Sequence, residues 1–277
     1  MSFTTAPEPS LRHAALRALA EADPAQKVLQ VQRLWNELQD ADTGAQAMLE
    51  TPPGIPGRPP RPELTHPAKV PRRSPASIEG RAALLHAIAH IEFNAINLAL
   101  DAIWRFAGMP DAYYRDWLRV AKEEAFHFSL LRDHLASLGH AYGDFPAHDN
   151  LWLMCERTKD DVLARMALVP RTLEARGLDA TPQIQAKLRQ VGTPDALKAV
   201  DILEIILRDE VGHVAIGNHW YGWLCARAGH DALALYPQLA TRYSATRPHP
   251  PFNEEARLRA GFTQDELAAL KAAVPSP

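Results

Sequence analysis

The 277-residue chain is poor in cysteine, in net charge and in unbroken apolar sequence, and each shortage excludes a class of protein. Two cysteines, Cys155 and Cys225, cannot build a disulfide framework, so a reducing, cytoplasmic setting is expected. Against 33 Asp and Glu stand 30 Lys and Arg, a net charge of −3, which lacks the basic footprint of a duplex nucleic-acid binder. No apolar run reaches the roughly 18 residues of a membrane span, and the N-terminal MSFTTAPEPS has neither the basic nor the apolar stretch of a secretion signal. What remains is ordinary globular material, 47% apolar and 23% charged, enough for one large domain or two small ones.

Proline is the exception to scarcity, at 23 residues, and nine of these fall between Pro52 and Pro75. Proline lacks an N–H and fixes φ, so residues 51–80 are expected to form an extended arm that links or wraps. Before it, residues 1–50 read as a small helical segment. Ser10 is placed to cap one helix, and Asp23-Pro24 is a cap followed by a first-turn proline, opening a helix with Val28, Val31, Leu34, Trp35 and Leu38 at 3–4 spacing.

From 81 to 226 the pattern is helical. Helices are expected at about 81–107, 111–138, 149–176 (kinked at Pro170) and 195–226, with a shorter one at about 182–191 opened by Thr181-Pro182. Four long helices joined by turns predict an all-α four-helix bundle. The tail, 227–277, shows one good helix at about 264–273 and an irregular RPHPPFNEEAR, and is expected to pack on the bundle, with Phe252 and Asn253 as lid candidates.

Polar residues interrupt the apolar stripes of this core. The first long helix reads Leu85, Ile88, Glu92, Ala95, Ala99; the second Trp117, Val120, Glu124, His127, Leu131; the last Val200, Leu203, Ile206, Glu210, His213, Gly217. A Glu-x-x-His pair puts both side chains on one helix face. The same spacing also occurs at Glu63–His66 in the proline-rich arm, where no helix presents it, so the spacing alone carries little. Three helices placing ionisable groups mid-stripe are another matter, because buried carboxylates without partners cost several kcal/mol each. A shared pair of metal ions supplies the compensating charge. Heights agree: Glu92 lies about 24 Å before the turn at Gly108 and Glu124 about 21 Å after it, so the two come level in an antiparallel pair.

A di-metal site of this kind takes one Glu from each of two helices and a Glu-x-x-His from each of the other two. The third helix offers Glu156 or Glu174, on one face but about 27 Å apart, so only one reaches the site. Loop arithmetic favours Glu174, 36 residues before Glu210, against 54 for Glu156 and 32 between Glu92 and Glu124. Four glutamates, two neutral imidazoles and two divalent ions then balance in charge, and the mixed donors suit iron or manganese. Glu123 and Asp209, each beside a candidate ligand, are placed to accept from the far ring nitrogens.

The segments PGRPPRPEL, VPRRS, GRAALLHAIAHIEFNAINLALD, KEEAFHFSLL, TLEARGLDATP, DEVGH and PPFNEEARLRAGF resemble a bacterial ferritin-like family of unassigned function. The resemblance implies a ferritin-like four-helix fold and a di-iron or related site at Glu92, Glu124, His127, Glu174, Glu210 and His213. It supports Glu174 over Glu156, since TLEARGLD carries the family pattern. The DEVGH string is similar to that of di-iron monooxygenases.

The resulting expectation is a metal protein with two iron ions, manganese being the alternative, acting as an O2-dependent oxidoreductase on a small organic substrate. An electron-donor protein is the expected partner, and the protein itself is expected to be a monomer or small homo-oligomer. The competing reading is iron handling or peroxide defence of the ferritin and rubrerythrin kind.

Overall fold

The computed structural model describes residues 10–71 and 73–273. Within them the regular structure is helical, and the only β pairing is an isolated parallel bridge between Leu64 and Ala147. α1 (Leu11–Ala20) and α2 (Pro24–Leu38) come first, and Asp23 caps α2 by accepting from the Gln26 N–H. Four long helical stretches follow the arm. They are α3 (Ile78–Arg105), α4 (Asp111–Ser137), a composite of α6 (Val162–Leu168) and α7 (Ala175–Val191), and α8 (Pro194–Ala228), with the short α5 (Asn150–Arg157) inserted before the composite. α3 packs on α4, α4 on α8, and α8 on both halves of the composite. α1 covers α3 and α2 covers α4.

The composite helix departs from expectation. The chain breaks after Arg157, and a new helix starts at Val162, capped by Asp161 accepting from the Ala164 N–H. It then runs to Val191 through Gly177, the expected end of one helix, and Pro182, the expected start of the next, and widens into a π turn at Val169–Glu174. Each proline should cost a ladder hydrogen bond. At Pro182 the bond is replaced from the tail: the Asn253 side-chain amide donates to the Leu178 carbonyl at 3.2 Å, the carbonyl that residue 182 would otherwise have engaged. Asn253 also accepts from the Ala256 N–H as the cap of α10 (Glu254–Arg259). It is therefore a strut holding α7, and not a lid. Phe252 lies under the Arg257 guanidinium, 5.4 Å from it. Asn253→Ala should cost about 1–2 kcal/mol in denaturant unfolding, from one orphaned carbonyl and one lost cap.

The tail also holds α9 (Ala232–Arg242), which sequence reading passes over because Pro237 interrupts it and only Leu239 is buried, followed after α10 by α11 (Gln264–Ala272). α9 and α10 pack on α8. The proline-rich arm holds one 3-10 turn, Pro67–Lys69, and lies close against its neighbours. The Gly57 N–H donates to the Leu19 carbonyl, and a Cβ at Gly57 would sit 2.2 Å from the Ala20 oxygen, so only glycine fits that approach. One helix among the described residues, α3, is long and apolar enough to cross a membrane by composition, and 72% of its most apolar window is buried inside the structure.

Two buried charges show how this core normally settles ions. Asp101 on α3 is buried, yet it accepts from Arg105, Arg165 and Trp104, and Arg165 further donates to the Cys155 carbonyl and Thr158. Burial alone would raise the Asp101 pKa, but Arg165 and Arg105 outweigh it and hold it below the ordinary value. Lys27 on α2 donates to the Leu19 and Gly57 carbonyls and to Asn97, filling all three of its N–H positions. Both of these groups have their partners.

Candidate metal centre

The mid-stripe residues break that rule. Glu92 on α3, Glu124 and His127 on α4, Glu174 at the end of the π turn, and Glu210 and His213 on α8 are all buried, none more than 8% exposed. No Lys or Arg reaches them in an ion pair among the described residues. The His127 Nδ1 lies 3.3 Å from Glu92 Oε2 and 3.4 Å from Glu124 Oε2; the His213 Nδ1 lies 2.9 Å from Glu124 Oε1 and 3.7 Å from Glu210 Oε1. None of these approaches has hydrogen-bond geometry. Eight atoms are buried without a hydrogen-bond partner: Glu92 Oε2, both oxygens of Glu124 and of Glu174, Glu210 Oε2, and the Nδ1 of His127 and His213. Nine other buried side-chain atoms among the described residues also lack a partner, Arg12 Nε and His86 Nδ1 among them, but nowhere else among the described residues does a group of His and carboxylate side chains gather in this way.

Glu92, Glu124, His127 and Glu210 each offer a ligand atom within 4.8 Å of the others, so this buried group could bind a metal ion. His213 and Glu174 stand outside that tightest group. His213 is nevertheless in contact with Glu124, and its ring centroid lies 5.8 Å from that of His127. Glu156, the rival position, is exposed on α5 and accepts from the Trp152 indole at 3.1 Å.

Behind each imidazole stands a carboxylate. The His127 Nε2 meets Asp209 Oδ2 at 3.1 Å and the His213 Nε2 meets Glu123 Oε2 at 2.8 Å, crosswise between α4 and α8. A carboxylate there takes the Nε2–H, which leaves the Nδ1 lone pair for the site. Asp209 is anchored in turn by Arg208, at 2.8 Å.

The electrostatics of the cluster are those of a site short of positive charge. Burial first, and then the neighbouring carboxylates, push the pKa values of Glu92, Glu174 and Glu210 above the ordinary range. Glu124 goes the other way: burial would raise it, but the His213 imidazolium beside it outweighs that and holds it low. Burial opposes charge on both histidines, yet the surrounding carboxylates win and raise them. Protons therefore stand where a cation would, and cation binding must release them.

Sequence reading passed over what supports the π turn. Its Pro170 packs against α8 at Gly217, where an added Cβ would lie 2.5 Å from the Pro170 Cβ. Arg171 donates to Asn218 at 2.7 Å and to Glu266 at 2.5 Å, and the Thr172 hydroxyl donates to the Ala167 carbonyl. Gly217 was visible as the last member of the α8 stripe, but nothing local marked its contact.

Comparison with known proteins places this site in a family without an assigned role. A protein of Haemophilus influenzae described only as uncharacterized is 54% identical over 216 residues, covering 76% of this chain and 74% of the relative. No solved structure matches the chain. The model of a family described as "Protein of unknown function (DUF455)" matches residues 20–268, and the chain belongs to that family.

Proposed function

We propose that α3, α4, the composite α6–α7 helix and α8 form a ferritin-like four-helix bundle holding two divalent metal ions. Glu92, Glu124, His127, Glu174, Glu210 and His213 are the ligands, and the protein is an O2-dependent oxidoreductase acting on a small organic substrate. One observation carries the reading: eight unpartnered ligand-type atoms, supplied by all four helical stretches, gathered where no Lys or Arg ion pair reaches them among the described residues. The residues fit the group chemically. Four carboxylates offset the charge of two divalent ions, oxygen and imidazole donors suit iron or manganese, and no thiolate joins them. Bound iron would supply the redox chemistry toward O2 that side chains lack.

The chain's own part is orientation and exclusion. Asp209 and Glu123 hold the two rings with Nδ1 inward. Glu124, near both imidazoles, would serve as a ligand shared between the two halves of the site. Burial of all six side chains keeps bulk water from reactive species. The setting is cytoplasmic, with an electron-donor protein as partner and a monomer or small homo-oligomer as the assembly.

Anaerobic loading with iron(II), elemental analysis and oxygen uptake test this. Two irons per chain should bind, and O2 should be consumed in proportion to the site, stopping until the protein is re-reduced. Continued uptake of hundreds of irons per chain would establish storage instead. Absence of bound metal would remove both readings.

A further inference from the structure

A cavity of about 590 Å³ is walled by α9, the 244–248 segment and α11, with Arg171 of the π turn in its lining. Its size falls in the range of ~300–1,000 Å³ typical of small-molecule sites. Arg171 and Glu174 sit three residues apart in the turn; Arg171 lines this cavity, and Glu174 belongs to the buried cluster. None of the six candidate ligands lines the cavity, which is distinct from the candidate metal centre.

Its lining is apolar with a cationic bias. Tyr236, Ala240, Phe262 and Leu270 supply apolar surface, and Arg171, Arg247 and Arg257 supply three positive charges against the single carboxylate of Glu266. Two of the three cations are already matched inside the protein. Arg171 pairs with Glu266 at 2.5 Å and stacks on Tyr221, Tyr236 and Phe262, while Arg257 pairs with Asp179 at 2.6 Å. Arg247, exposed at the rim, forms no ion pair among the described residues. A ligand matching these walls needs an apolar body and one negative charge.

We propose that this cavity binds an organic anion of the medium-chain carboxylate class, with its chain against Tyr236, Ala240 and Phe262 and its carboxylate on Arg247. The inference is independent of any metal. Each methylene buried should strengthen binding by about fourfold, and a charge-assisted pair to Arg247 should contribute about tenfold or more.

Isothermal titration of the full chain with decanoate tests it. Saturable 1:1 binding is expected, with butyrate and decanol each at least about tenfold weaker. Arg247→Gln, at an exposed position, should weaken decanoate by about tenfold. Ala240→Trp should block the cavity, and Ala269→Trp, on an exposed face of the opposite wall, repeats the block without touching the core. Unchanged melting temperature and metal content in these variants would show that the fold and the metal centre are intact. No saturable decanoate binding up to about 1 mM, equal affinity for decanol, or decanoate binding unaltered in Arg247→Gln or in folded Trp variants would overturn the proposal.

Discussion

Glu124→Ala is expected to strip the protein of metal. Glu124 is the carboxylate approached by both imidazoles, at 3.4 Å from His127 and 2.9 Å from His213, and both of its oxygens lack any other partner. Removing it takes a ligand from both proposed ions at once. The loss should exceed the 10–100-fold in metal affinity typical when only an orienting partner is removed, and Asp209→Asn provides that milder comparison on His127. Glu174→Ala should cost at least one metal per chain. Glu156→Ala should cost none, because Glu156 is exposed and engaged with Trp152. Elemental analysis of the variants, reconstituted side by side, decides the matter. Full metal occupancy in Glu124→Ala would refute the ligand assignment, and loss in Glu156→Ala but not in Glu174→Ala would reverse the assignment of the third ligand helix.

The cluster was legible because it violates a pattern. An apolar stripe has a period, and a Glu or His standing in phase with it is conspicuous at Glu92, Glu124, His127, Glu210 and His213. Helix rise then allowed heights to be compared across the α3–α4 turn. The Asp23 cap was legible for a similar reason, since its partner, the Gln26 N–H, is three residues away. What escaped notice was the repair of local defects by distant residues. Pro182 reads as a helix start, and it lies inside α7 because Asn253, more than seventy residues on, supplies the missing donor to Leu178. Pro237 hides α9, a helix with only Leu239 buried to mark its inner face. The Asp101–Arg165 pair likewise joins residues 64 apart, with no motif at either. Sequence shows the cost of each residue; the compensation comes from tertiary partners.

That asymmetry is sharpest at Gly217, where a single added methyl group is expected to disturb the proposed metal centre without altering any ligand. In Gly217→Ala the new Cβ would fall 2.5 Å from the Pro170 Cβ and 2.7 Å from its Cγ, closer than real atoms stand. The Pro170 ring cannot swing aside as a long side chain would, so the π turn or α8 must shift. Overpacking of this kind costs about 1–3 kcal/mol of stability. The turn carries Glu174 four residues beyond Pro170, so the shift should also pull that carboxylate from the cluster and weaken metal binding. A double-substitution cycle isolates the contact. In a Pro170→Gly background the Cβ and ring are gone, and Gly217→Ala should then cost little in unfolding free energy and leave metal affinity where Pro170→Gly alone puts it. Additive costs in the cycle would show that Gly217 acts through something other than Pro170. A Gly217→Ala protein with unchanged metal affinity would show that the π turn does not set the position of Glu174.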